Sequence, residues 1–301
     1  MRPIFALALN TYREVVRQRL FLLVLAITAA VLVILILFPY FTTDVAAHTD
    51  ASVSASETSM FKDLALNTAA LALLFLVALT ASSTVAEELE SRTALAILAK
   101  PVARWQFLLG KYLGIVAALA VAAALLAAML AIATYVRAYV DAPINQRQAA
   151  FGLALSEPAR EFQALMRNQA LTVLPGAVLI FCQGALLAAV ALVLSCRFSR
   201  VLAVLVTFAL YLVGHLAEFI TAAVASSAAP LRRSVHWSLA LLPRLDLTDL
   251  SGKIAHSVLI PGQPDLAAVW SYAALTCLYT LLYAALILIL GLILFGRREI
   301  R

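Results

Sequence analysis

The feature that most limits this chain is a series of long runs almost free of charge. They cover residues 20–38, 64–85, 107–135, 170–194, 201–224 and 269–295. Each is long enough to cross a bilayer at ~20 residues per helical crossing. Backbone amides in hydrocarbon must be paired within the segment, so such runs fold as helices. The composition agrees: 64% of residues are hydrophobic and 13% charged, too little polar surface for a water-soluble domain. The expected fold is all-α and polytopic, a single transmembrane domain over residues 1–301 with six spanning helices.

Charge distribution orients the six spans, which leave both termini on one side. The N-terminal segment, the stretch 86–112, the 196–200 turn and the tail hold thirteen Lys/Arg and five Asp/Glu. The three other connecting segments hold nine Lys/Arg and ten Asp/Glu. Positive residues are retained in the cytoplasm, so both termini are expected there, in the cytoplasmic membrane. The net charge of +6 then reflects topology, and nucleic acid is not an expected partner. Residues 3–19 carry Phe5, Leu9, Tyr12 and Val16 on one side and Asn10, Arg13, Glu14 and Arg17 on the other, the pattern of an interfacial helix. A cleaved signal peptide fits poorly, because the apolar run is too long. Residues 39–63, 137–169 and 225–268 are polar and predicted to be exposed. Within the last, 239–254 has apolar residues at helical intervals, suited to resting on the bilayer. Pro175-Gly176 suggests a kink near the start of span four.

Between spans two and three lies a charged island. Glu87, Glu88, Glu90 and Arg92 gather in the first turn of a predicted short helix at 87–100, where the helix dipole favours acids. Thr93 to Ala99 is small and apolar, Pro101 stops the helix, and Arg104-Trp105 leads into span three. A short amphipathic helix between two spans must lie on the membrane or dock into another protein. The bland alternative is a solvated connecting loop.

The run Glu87-Glu88-Leu89-Glu90-Ser91-Arg92-Thr93, then Leu98-Ala99-Lys100-Pro101, Arg104-Trp105 and Leu109-Gly110-Lys111-Tyr112 resembles the first cytoplasmic loop of ABC-2-type ABC transporter permeases. Leu9-Asn10-Thr11-Tyr12-Arg13-Glu14 resembles the opening of the branch that includes permeases for copper-enzyme maturation. Leu241-Leu242-Pro243-Arg244-Leu245-Asp246 matches that branch's Leu-Pro-Asn-Leu-Glu pattern loosely, with Arg244 in place of Asn. The resemblance implies a dimer of permeases, each copy bound to a separate cytoplasmic ATPase that holds ATP and magnesium. It implies that the island is the coupling helix seated on that ATPase, with Glu87, Glu88, Glu90, Arg92, Thr93, Leu98, Pro101 and Arg104 at the contact. ATP-dependent export by alternating access would follow.

The chain has no nucleotide site of its own. A phosphate loop ending at Gly110-Lys111 would need glycine where Trp105 stands and Ser or Thr where Tyr112 stands. Lys111 is expected to snorkel to the interface. Cys182, Cys196 and Cys277 lie in or beside spans without metal-ligand spacing, so no cofactor or metal is expected in this chain. Cys182 and Gln183 are polar enough to hydrogen-bond between helices. Tyr211, His215 and Glu218 share a face of span five, and ionisable groups there are costly. They suit a substrate path or a polar contact near the helix end. A gradient-driven secondary transporter relaying protons through Glu218 and His215 is the rival reading, and a non-transport membrane scaffold a third. One embedded acid and no paired broken helices count against the second.

Overall fold

In the computed structural model the described residues are 2–37, 51–90, 103–141, 163–164, 167–168, 170–224, 243–248 and 266–296. They contain eight α-helices: α1 (Arg2–Arg17), α2 (Arg19–Leu37), α3 (Ala51–Glu90), α4 (Arg104–Asp141), α5 (Leu174–Ser195), α6 (Arg200–His215), α7 (Ala217–Val224) and α8 (Leu266–Gly296). A 3-10 turn spans Leu245–Thr248. No strand occurs among the described residues.

Five helices are long and apolar enough to cross a membrane: α2, α3, α4, α5 and α8. The expected fifth span, 201–224, departs from one continuous helix. It is divided at Leu216 into α6 and α7. At ~1.5 Å per residue, α6 alone covers ~24 Å, short of a ~30 Å hydrocarbon layer.

α5 is the axis of the bundle. It packs against α3, α4, α6, α8 and the 3-10 turn. Its sequence explains this: Ala185, Ala188, Ala189 and Ala191 lie among Leu186, Leu187 and Leu192, and all are buried. Small residues around the whole helix let neighbours approach from every side, which drives association where lipid offers no hydrophobic gain. Pro175 and Gly176 fall in its first turn. There proline's missing N–H costs nothing, so they start the helix instead of kinking it.

Five buried threonine hydroxyls are satisfied locally. Thr28, Thr80, Thr84, Thr134 and Thr207 each donate to the carbonyl four residues back. That removes the cost of a bare hydroxyl in a setting without water.

Three predicted boundaries move. Residues 51–63, expected in an exposed loop, belong to α3, with Phe61 and Lys62 buried. Arg137, expected to open an exposed segment, is a buried residue of α4. Within 239–254, expected on the bilayer surface, the described turn lies inside the bundle: Pro243, Leu245 and Thr248 are buried.

Candidate functional site

Two groups of charged residues stand at opposite ends of the bundle. The first end holds α1, the last turn of α3 and the first turns of α4. Glu87, Glu88 and Glu90 are the closing residues of α3, not the opening of a separate short helix. They therefore stand where the helix dipole disfavours acids. Arg92, Thr93, Leu98 and Pro101 lie outside the described residues, and Arg104 begins α4. The start of α4 is fixed by a reciprocal cap, in which the Ala103 amide donates to Gln106 Oε1 at 3.2 Å and the Gln106 amide donates to the Ala103 carbonyl at 2.9 Å. Trp105 beside it is half exposed.

α1 has three faces where the sequence period suggested two. Phe5 and Leu9 are exposed, at 72% and 38%, and point away from the bundle. Asn10, Arg13 and Arg17 lie on a second exposed face. The third face docks on α4, with Thr11 and Val15 fully buried. The docking depends on two glycines one turn apart. A Cβ at Gly110 would lie 2.8 Å from Leu7 Cβ, and one at Gly114 would lie 2.5 Å from the Ala8 carbonyl oxygen. Only hydrogen fits at this separation, the small-xxx-small arrangement of close helix pairs.

Between these glycines, Lys111 is 1% exposed and its Nζ stands 3.9 Å from Glu14 Oε2. It does not snorkel to the interface; it is enclosed and faces a carboxylate. The Leu109-Gly110-Lys111-Tyr112 motif thus serves the α1–α4 contact. Tyr112, the fourth member, turns the other way and donates to the Ala185 carbonyl of α5 at 3.3 Å.

The opposite end carries two buried cations that the sequence placed in exposed loops. Lys62 Nζ donates to Thr172 Oγ1 at 3.0 Å. Arg137 Nη1 donates to the Ile36 carbonyl at 3.4 Å. Ile36 is in the last turn of α2, whose carbonyls lack helical partners, so the guanidinium satisfies and charge-complements that end. The available signal was position: each lies within three residues of an apolar run, so the helix carries it inward.

Tyr211 and His215 are brought together on α6. Their ring centroids are 4.3 Å apart, and His215 Nδ1 lies 3.2 Å from the Tyr211 carbonyl. Glu218 stands beyond the break, in α7. The 3-10 turn wedges in beside the break. Leu245 occupies the space over Gly214, where an added Cβ would meet its side chain at 2.8 Å. Two tyrosines of α8 hold the turn: Tyr272 Oη donates to the Leu247 carbonyl at 2.8 Å, and the Arg244 amide donates to Tyr279 Oη at 3.2 Å. The expected interhelical bonding of Gln183 is absent for its Nε2, which is buried with no hydrogen-bond partner among the described residues. Among those residues no cluster of three His, Cys, Asp or Glu could hold a metal.

Compared with protein-family models, residues 5–300 match the family described as ABC-2 family transporter protein. No curated protein matches the chain.

Proposed function

Since the chain belongs to the ABC-2 family of transporter proteins, a multi-pass membrane transport component, we propose that it is the permease subunit of an ATP-binding-cassette transporter. It exports its substrate by alternating access, as a dimer of permeases in the cytoplasmic (inner) membrane. Two copies of a separate ATPase supply ATP, magnesium and hydrolysis. Both termini and the island face the cytoplasm, in keeping with the positive charge of those segments. The opening Leu9–Glu14 motif favours the branch that includes copper-enzyme maturation permeases.

The observation that carries this reading is the family match along nearly the whole chain. A feature of the first end supports the location of coupling. Three acids sit at the C-terminal end of α3, an arrangement that costs ~0.3–1 kcal/mol per charge unless a cation compensates. A basic groove on the ATPase would supply that compensation, with the apolar Ala94–Leu98 stretch as anchor. Tyr211, His215 and Glu218 are assigned to the outer part of the substrate path.

Co-expression with the neighbouring ATPase tests the proposal. Glu87→Lys with Glu88→Lys should abolish co-purification while leaving the permease folded. Unchanged capture would refute docking there. Glu218→Gln should impair export while retaining the complex, and full export would remove that residue from the path.

A further inference from the structure

Two of the three cysteines meet inside the bundle. We propose that Cys182 and Cys277 form a dithiol site that a lipid-soluble hydroperoxide oxidises, closing a disulfide that ties α5 to α8. The inference is independent of the transport reading.

The register of the two helices carries it. α5 and α8 run in the same direction, and two contacts fix their alignment. Leu179 packs with Ala273, and Gly291 lies so close to Val193 that a Cβ would strike its side chain. Cys182 is three residues beyond Leu179, and Cys277 is four beyond Ala273. Both spacings return to the same helical face, which sets the two cysteines opposite one another. Cys277 itself packs against the Leu179–Ala273 pair, beside the face of α5 that carries Cys182. Thr280 donates to the Cys277 carbonyl at 2.9 Å, which holds that turn in place.

Access is asymmetric. Cys182 is buried and Cys277 half buried. Leu278 and Leu281, which border Cys277 on the helix surface, are exposed at 55% and 54%, so this side of α8 meets the hydrocarbon. A peroxide dissolved there reaches Cys277 first. Cys196 cannot substitute within the chain. It lies at the far end of α5, ~21 Å from Cys182 at ~1.5 Å per residue, with its thiol donating to the Leu192 carbonyl.

The chemistry balances in two steps. Cys277 Sγ attacks the terminal peroxide oxygen and the O–O bond breaks. The thiol proton goes to the departing oxygen, which leaves as an alcohol, and Cys277 becomes a sulfenic acid. Cys182 Sγ then attacks that sulfur; the S–O bond breaks and water leaves with the second thiol proton. Two thiols and one hydroperoxide give one disulfide, one alcohol and one water.

The test uses the full chain in its native membranes, treated with cumene hydroperoxide, then denatured and labelled with a polyethylene-glycol maleimide. Untreated protein should take three labels. Treated protein should take one, and reductant should restore all three. Peptide mass mapping should find the Cys182 and Cys277 peptides joined, two hydrogens lighter than their sum. In Cys182→Ser, the linked peptide should vanish and dimedone should capture Cys277 as its sulfenic acid. Three labels after treatment, a linkage through Cys196, or a link between two chains would each overturn the proposal. The wild-type peptide map decides even where the serine variant folds poorly.

Discussion

Replacing Gly114 by alanine should detach α1 from the bundle. Two effects oppose each other. Alanine favours a helix over glycine by ~1 kcal/mol. Against that, its Cβ would stand 2.5 Å from the Ala8 carbonyl oxygen and 2.6 Å from Thr11 Cβ. One of these atoms is backbone and the other is fixed to it, so neither can rotate away and α1 must shift bodily. Overpacking of this kind costs ~1–3 kcal/mol, and the rigidity of both partners argues for the upper half. The net loss is then ~1–2 kcal/mol at the α1–α4 contact, about a 5- to 30-fold rise in the detached population. Arg13 and Arg17 are on α1, so limited trypsin digestion in detergent reads that population directly when opening is fast. Cleavage at these arginines should accelerate by the same factor. Ala117→Leu, at an exposed position of α4, should leave it unchanged. Wild-type cleavage in Gly114→Ala, or protection beyond wild type, would refute the claim that the glycine sets this approach.

Other substitutions probe the remaining contacts. Lys111→Glu would set a second carboxylate against Glu14, with a loss of ~1–3 kcal/mol, less than for a fully buried pair because the Glu14 side chain is 40% exposed; adding Glu14→Lys should recover most of it, read as detergent melting temperature. Leu245→Ala should cost ~2–5 kcal/mol by opening a cavity. It should also relieve Gly214→Ala, whose Cβ would meet Leu245 atoms first, so the double variant should be more stable than the sum of the singles predicts. Lys62→Met should leave Thr172 accepting no bond from that side chain yet keep the buried volume, for a loss of no more than ~3 kcal/mol, whereas Lys62→Ala should lose more by adding a cavity. Equal melting temperatures for those two variants would mean that the aliphatic stem does not pack.

How much could be foreseen follows from what each signal measures. Uncharged runs of spanning length are a local property, so α2, α3, α4, α5 and α8 were legible, and so was α1 from its period. The acids at 87, 88 and 90 were legible as a cluster, but which helix owned them was not. An apolar helix can extend past its hydrophobic core for as long as its backbone bonds are met, and α3 runs on to Glu90. Lys62 and Arg137 were misassigned for the same reason: a charge ends an apolar run in sequence, while in space a hydroxyl in a distant turn or a carbonyl on another helix can accept it.

By itself the sequence determined that this chain is a membrane-embedded helical bundle, since lipid leaves the backbone no other way to pair its amides. It also determined, through its motifs, the family to which the bundle belongs. Only the tertiary structure decided that Gly110 and Gly114 exist for α1, that Lys111 faces Glu14, that Leu245 is a wedge against Gly214, and that Cys182 faces Cys277. Each of these is a contact between residues distant in the chain, and proximity across helices is written in no single stretch of sequence.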